Sequence, residues 1–515
     1  MIETELKITL DSEGEARLRR HPALAHLRLA PRRTQILRSV YYDTPEHALA
    51  AQGIALRLRQ VGRRWVQTVK RRGESAHGLF ANLEVECAAP GGRLVLDGPD
   101  PEGVFGAIDA AAGTAALSPV FETRVRRTTE RLRAPEGGEV ELAIDAGEIR
   151  AGEAVTPIRE AELELVEGAV GELYGIARTL FPRAPVRFSL ENKSARGYRL
   201  ARGEAEPPVR PRNARVPDYA ASATVESVAR DIFRDCLAQI AQNMVVIAES
   251  DDPEGPHQIR VGLRRLRTAF AIFGPSLGKA ALAPLAREAQ RLGQVVGPLR
   301  DIDVLAGEIV AEAVESGLDA AAREALLGCL AARGAEVRRG VRRTLAGPEA
   351  AGFLFDLGRL IEGRGWLAPS DYSQTERLAA PVGGLAGDLL DARLRRVRRR
   401  GRGIRKLDTE ALHVLRKDLK KLRYAADTFA PIYPDAKVAT YVKELKSLQD
   451  SFGHLNDAAM AAEALTGPEA PGRDDGDVQR GVGWVLGTLT VRAGQQRPDL
   501  FARWDRLRAA RPFWS

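Results

Sequence analysis

The sequence predicts a multidomain chain in which an N-terminal antiparallel β-barrel tunnel with a few helices (α+β) is followed by an all-α duplicated helical bundle. Three observations carry this expectation. At 515 residues the chain exceeds what one core organises, about 100 to 200 residues per domain. Up to about residue 200, apolar and polar residues alternate with period two between Gly, Pro and Asp turn signals, the pattern of half-buried strands. Beyond that point Ala/Leu/Arg-rich stretches follow the helical period, and two of them resemble each other at an offset of 156 residues.

In the first part, IETELKI places Glu3, Glu5 and Lys7 on one face of a strand, because side chains two apart point the same way. The same alternation recurs with Arg57 and Arg59 in ALRLRQ, Glu84 and Glu86 in NLEVE, Arg124 and Arg126 in FETRVRR, and Glu160, Glu162 and Glu164 in REAELELVEG. One charged row is ordinarily the wet face of an open sheet. Several rows of both signs predict a closed barrel with a charged lumen. Carboxylates and cations in one tunnel suit metal-assisted phosphoryl transfer, in which the carboxylates hold Mg²⁺ or Mn²⁺ and Lys and Arg neutralise phosphate oxygens.

Residues 203–217, GEAEPPVRPRNARVP, hold four prolines without apolar periodicity and read as a linker. The expected organisation is therefore a tunnel domain at 1–202, the linker, and a helical domain at 218–508 in two similar halves, about 218–375 and 376–508. Helical breaks are expected near DPEGP, GPSLG, APSDY and TGPEAPGRDDGD.

The duplication is the sharpest signal in the helical part. HQIRVGLRRLR from His257 matches HVLRKDLKKLR from His413, so that His257, Arg260, Arg264, Arg265 and Arg267 correspond to His413, Arg416, Lys420, Lys421 and Arg423. At the same offset, Gly297 and Asp301 correspond to Gly453 and Asp457. On a helix, positions 0, +3, +7 and +10 fall within an arc of roughly 80°. Leu263, Leu266 and Phe270, and in the second copy Leu415, Leu419 and Leu422, lie on another face. Each copy thus offers an apolar face to the core and a basic face, and pseudo-twofold packing would bring the basic faces together as a cleft. Asp301, Asp303 and Asp457 are expected to orient its arginines. A run of nine basic residues between 393 and 406 could extend it or form a solvated helix end.

Charge agrees with this division. The net charge is +8, and residues 1–200 hold 29 of the 77 Lys and Arg and 28 of the 69 Asp and Glu, leaving 48 and 41 to the remainder. The basic excess of the second part points to an anionic partner, whether nucleic acid, polyphosphate or acidic lipid. With 44% hydrophobic and 28% charged residues the chain reads as soluble, and no stretch approaches the ~18 apolar residues of a membrane span. MIETELKITL has charges where a signal peptide would be apolar. Cys87, Cys236 and Cys329 are far apart and fit neither a disulfide framework nor a zinc site, which suits a cytoplasmic location.

The paired HxxRxxxRRxR-like segments and the RDxD-like loop resemble the CHAD domain, the conserved-histidine α-helical domain, over about residues 218–508. The resemblance implies two four-helix halves around a basic cleft that binds inorganic polyphosphate, through His257, Arg260, Arg264, Arg267, His413, Arg416, Lys420 and Arg423. It also implies association with polyphosphate granules.

The ExExK start, YYDTP at 41–45, ALRLR at 55–59, WVQTVK ending at Lys70 and the ELEL segment resemble the CYTH family of triphosphate tunnel metalloenzymes over about residues 1–200. Carried over by position, the resemblance implies metal ligation by Glu3, Glu5, Glu162 and Glu164, with Glu160 a further candidate. It implies phosphate contacts from Lys7, Arg38, Arg57, Arg59, Lys70, Arg126 and Lys193, and a catalytic role for Glu3, Glu5 and Lys7, the last also handling protons. Asn82 departs from it, since the family usually has an arginine there. Together the two resemblances imply a bacterial Mg²⁺- or Mn²⁺-dependent inorganic triphosphatase that acts on tripolyphosphate and binds polyphosphate. The alternatives are a non-catalytic polyphosphate-localisation protein, or a tunnel enzyme that acts on nucleoside or thiamine triphosphate or cyclises ATP. Nucleic acid is the weaker reading of the basic half, and a membrane partner is not expected.

Overall fold

The computed structural model describes residues 2–514 apart from 74, 98, 99, 101, 316, 469 and 471, and describes only the backbone of 76, 314, 409, 454–458, 493, 496 and 497. By its internal contacts the chain forms two units, residues 1–210 with 346–365, and residues 211–345 with 366–515.

In the first unit the alternating segments form strands β1 Ile2–Thr9, β2 Arg33–Asp43, β3 Ile54–Val61, β4 Arg64–Arg71, β5 Ser75–Ala76, β6 Leu79–Ala88, β7 Ser118–Arg133, β8 Glu139–Ala151 and β9 Ala154–Glu167. They pair antiparallel in the order β1-β9-β8-β7-β2-β3-β4-β6-β5, and β1 also pairs with β6. Leaving aside the two-residue β5, eight strands therefore close into a barrel, and closure removes the open edges of a sheet. Short helices fill the connections: α1 Ser12–Arg19, α2 Ala23–Leu27, α3 Ala48–Ala51, α4 Val104–Ala112, α5 Gly171–Leu180 and α6 Lys193–Ala201. The period-two pattern sorts each strand. In β3, Leu56 packs outward with Leu49, Val69 and Ile108, while Arg57 and Arg59 line the lumen.

Helix α6 approaches the barrel closely because residue 197 is glycine; a Cβ there would stand 2.1 Å from the Phe121 ring. Asn192 caps this helix through the Ala195 N–H. The cap and the close approach together set Lys193, its first residue, among the lumen side chains.

The remaining helices are α7 Val225–Glu249, α8 Glu254–Leu277, α9 Lys279–Val304, α10 Val310–Glu315, α11 Ala320–Leu345, α12 Pro348–Glu362, α13 Tyr372–Ala379, α14 Val382–Arg400, α15 Thr409–Phe429, α16 Asp435–Thr466 and α17 Gly476–Ala509. The duplication covers four helices per half. α7, α8, α9 and α11 start at 225, 254, 279 and 320, and α14, α15, α16 and α17 start at 382, 409, 435 and 476, offsets of 157, 155, 156 and 156. One apolar cluster joins the halves, with Leu305, Val310 and Leu326 from the first and Ala461, Leu465 and Val482 from the second. Among the described residues no helix is long and apolar enough to cross a membrane.

The units differ from the expected boundaries in two places. The helical unit begins at 211, because the backbone N–H groups of Arg212 and Arg215 donate to Asn243 and Asp235 on α7. Half of the expected linker is thus held by hydrogen bonds that composition does not reveal. The stretch 346–365, expected inside the helical domain, belongs to the barrel unit. It lies between the fourth helix of the first repeat and the first helix of the second, outside the repeated set. Its helix, α12, packs on α5, where Gly358 meets the Tyr174 ring and Asp356 pairs with Arg178. Helical periodicity identifies an apolar face but not the element that covers it.

Candidate active site

The barrel encloses a cavity of about 720 Å³. Its charged lining separates into three regions that differ in how their charges balance.

The first is buried and neutralised from within. Lys7, Arg127 and Lys193 meet Asp145, Glu160 and Glu162. Lys193 Nζ lies 2.7 Å from Asp145 and 2.8 Å from Glu162, and it also bonds Glu160. Arg127 makes a two-pronged contact with Asp145 at 2.8 and 2.6 Å and bonds Glu162 as well. Lys7 bonds Glu162, its cross-strand partner in the β1–β9 register, and lies 2.9 Å from Glu5. Burial alone would lower Lys7, but Glu162, then Glu5 and Glu160, outweigh it and hold the ammonium well above its ordinary range. Burial alone would raise Glu162, but Lys193, Lys7 and Arg127 hold it well below the usual carboxylate range. Asp145, Glu160 and Glu162 each bring an oxygen within 4.8 Å of the others, a spacing that a metal ion could use. The three carboxylates also accept from Lys7, Arg127 and Lys193, which balances their charge.

The second region has an excess of carboxylate. Glu5 and Glu164 are directly opposed on β1 and β9, and Glu3 and Glu84 share Lys70, which bonds Glu3 and lies 2.8 Å from Glu84. Burial, followed by Glu3, Glu141 and Glu5, pushes Glu164 up to about 7 against the opposing Lys70. Glu3 is raised too, by burial more than by Glu84, with Lys70 opposing. Buried carboxylates with further carboxylates as neighbours are where a cation is wanted. The donors are all carboxylate oxygens, as Mg²⁺ or Mn²⁺ requires. Asn82 faces this region, opposite Glu3 in the β1–β6 pairing, so the position where an arginine was expected adds no positive charge.

The third region has an excess of cation. Arg59, whose Nε donates to Ser39 at 3.2 Å, is pushed down to about 10 by burial and then by Arg57 and Arg127. Tyr41, buried and stacked on Phe121 at 4.4 Å, is lowered by Arg57, Arg59 and Lys193 against the effect of burial. A guanidinium destabilised by its own kind marks where an anion is wanted.

Of the residues expected in the tunnel, Glu3, Glu5, Lys7, Arg57, Arg59, Lys70, Glu162, Glu164 and Lys193 line the cavity, whereas Arg38 and Arg126 are not among the lining residues. Arg38 is on the outside, 2.8 Å from Glu122. The β7 cation in the lumen is Arg127, and Arg126, one residue away, is exposed on the other face. Arg126, expected from the resemblance, stands one residue off the lumen row, in which Arg127 follows Val125 at a spacing of two. Glu162, expected as a metal ligand, bonds Lys7, Arg127 and Lys193 in the balanced region. Asp145 and Tyr41 were not singled out by the sequence reading.

In the helical unit α8 packs against α15, and the two basic faces meet. Arg264 lies over the Tyr424 ring at 5.1 Å and Arg423 over it at 4.8 Å. Burial, with Arg423, Arg260 and Arg416, lowers Arg264 although Tyr424 opposes. Arg260 donates to the Gly297 carbonyl at 2.8 Å and lies 3.2 Å from Asp301, which orients it. Arg423 is aligned by Gln449 and Asp427 at 2.7 and 3.0 Å, and Arg267 is exposed, donating to Gln290. His257 is half-buried and lowered by burial and then by Arg300; His413 is exposed. Lys420 is half-buried on α15 among the charges that lower His413. Asp303 stands 3.6 Å from Arg338, and the Asp457 side chain lies outside the described residues. Arg265 turns away into Asp235 and Gln239 at 2.7 and 2.8 Å, a structural pair. Tyr424 escaped the sequence reading because it has no counterpart in the other repeat, where the aligned residue is Thr268.

Comparison with known proteins agrees with this division. Residues 1–198 match the CYTH domain family and residues 231–466 the CHAD domain family. An inorganic triphosphatase of Haemophilus influenzae is 30% identical over 203 residues, 38% of this chain and 54% of that protein, so the match spans about half of that relative. A protein of Mycobacterium tuberculosis is 27% identical over 472 residues, 84% of this chain and 82% of that one. The crystal structure of the CHAD domain from the plant Ricinus communis covers 59% of this chain and 98% of its own, at 24% identity and a TM-score of 0.49.

Proposed function

Because the chain is a CYTH domain followed by a CHAD domain, we propose that it is a metal-dependent inorganic triphosphatase whose tunnel hydrolyses tripolyphosphate and whose helical unit binds polyphosphate. The observation that carries the reading is the complementary imbalance within one cavity, with carboxylate in excess at Glu3, Glu5 and Glu164 and cation in excess at Arg59, which lies beside Arg57 and Arg127. A triphosphate chelating a divalent cation satisfies both at once.

Glu3, Glu5 and Glu164 are the residues suited to hold Mg²⁺ or Mn²⁺. When bound, the ion would neutralise phosphate oxygens and act as a Lewis acid. Arg57, Arg59, Arg127 and Lys70 donate to the phosphate chain, and their charge counts most as negative charge develops on the leaving oxygens. Water adds to the terminal phosphorus, the anhydride P–O bond breaks, and orthophosphate and pyrophosphate leave. Lys7, held protonated by Glu162, serves as a fixed donor and not as a base. Glu162, Asp145 and Glu160 keep Lys7 and Lys193 in place.

In the helical unit, the arginines gathered from both repeats around Tyr424 support polyphosphate binding. Calorimetric titration with tripolyphosphate, with and without Mg²⁺, tests the tunnel. Binding should require the metal and be lost in Glu5→Gln. Equal binding in chelator and in that variant would rule out the proposed metal site.

A further inference from the structure

Helix α12 is encoded between the two repeats, yet it is part of the barrel unit and is buried on nearly every face, from Ala350 to Phe355 and again at Leu357, Gly358, Leu360 and Ile361. Phe355 connects it to the strand that carries the tunnel's ExExK residues. The Phe355 ring packs edge-on against Phe188 at 5.8 Å and tilted toward Phe181 at 6.4 Å. Phe188 lies in a segment that adds a short antiparallel bridge to β1. It pairs with Ile8, the Ser189 N–H donates to the Lys7 carbonyl at 2.9 Å, and the Thr9 N–H donates to the Arg187 carbonyl at 2.8 Å. The Lys7 carbonyl and the Thr9 N–H, on either side of Ile8, are therefore held by residues 187–189, and the Phe188 ring meets a helix more than 150 residues further along the chain.

We infer that Phe355 is a positioning residue for Lys7, acting through Phe188 and the 187–189 bridge. The helical half of the sequence then completes the tunnel with one helix besides its own fold. Lys7 reaches Glu5 and Glu162 from a β1 backbone that this bridge fixes, and a side chain that must meet reacting groups within a fraction of an ångström is sensitive to such support. The inference rests on the proposed function only for its kinetic consequence.

The test compares full-length Phe355→Ala and Phe355→Leu with Leu354→Ala, which opens a cavity in the same buried helix at a residue without a ring contact to Phe188. Hydrogen–deuterium exchange of peptides covering residues 2–10 and 185–192 is measured beside phosphate release. Phe355→Ala should raise exchange there about tenfold or more and lower kcat by a similar factor at nearly constant KM, with Phe355→Leu recovering most of both, while Leu354→Ala leaves these peptides protected. Unchanged exchange in Phe355→Ala, or the same loss in Leu354→Ala, would overturn the inference. Should the parent protein release no phosphate, the proposed function falls while the exchange measurement still decides this one.

Discussion

Glu5 and Glu164 stand directly opposite each other on β1 and β9, two carboxylates in a cross-strand pair where unlike charges would ordinarily stabilise the sheet. Burial and three acidic neighbours push Glu164 up to about 7. Its folded value lies above the unfolded one near 4.5, so the folded state binds this proton more tightly. The stabilisation is fully present below pH 4.5 and is lost as pH rises through about 7. In chelator, the thermal midpoint of the parent protein should therefore fall relative to Glu164→Gln between about pH 5 and pH 8. Mg²⁺ or Mn²⁺ at pH 8 should restore it in the parent alone. A constant difference across that range would contradict the assignment of the carboxylate excess.

Glu162 should behave oppositely. It is a buried carboxylate bound to Lys7, Arg127 and Lys193 and is held well below the ordinary range. Its stabilisation is present above the unfolded value and lost as pH falls through the folded one. Removing one partner from a buried ion network costs about 3 to 5 kcal/mol, so Glu162→Gln should lower the denaturation midpoint substantially at neutral pH, where Glu164→Gln does not. Denaturant titration of the two variants side by side measures the contrast.

Arg59 is assigned to the anion because burial, and then Arg57 and Arg127, destabilise its charge. Losing a charge-assisted contact worth about 1.5 to 3 kcal/mol, Arg59→Gln should weaken tripolyphosphate binding about tenfold to a hundredfold. Its effect on folding should be neutral or stabilising. Arg38→Gln, outside the barrel, should leave binding unchanged, and calorimetry of both variants tests the placement.

For the helical unit, Arg264→Ala and Arg416→Ala should each weaken long-chain polyphosphate and reduce the slope of log K against log salt by about one. Arg265→Ala breaks the pair with buried Asp235; it should lower stability and leave that slope intact. Filter binding over a salt series, with RNA as competitor, makes the measurement. Preference for RNA would contradict the polyphosphate reading.

Much of this was legible in the sequence, for specific reasons. Period-two rows of charge identified the barrel because a lumen repeats the same parity in every strand, and the paired His257 and His413 segments exposed the duplication because both copies kept their basic positions. The assignment of α12 to the barrel unit was not legible, because periodicity shows that a face is apolar without naming its partner. Arg127 was missed because Arg126 has an equally regular neighbour in Arg124, and only the pairing of β7 with β8 and β2 fixes which row turns inward. The division of the carboxylates into a balanced set at Glu162 and an unbalanced set at Glu164 depends on where Lys193 enters from α6, a long-range relation that no local pattern contains.

The central claim is tested most directly by phosphate release from tripolyphosphate, with ATP in parallel, by the parent protein and Glu5→Gln, with Mg²⁺, with Mn²⁺ and with chelator. The account predicts release that needs the metal, that favours tripolyphosphate over ATP, and that is lost in Glu5→Gln. No release from tripolyphosphate under any condition, or release indifferent to chelator and to the substitution, would contradict it.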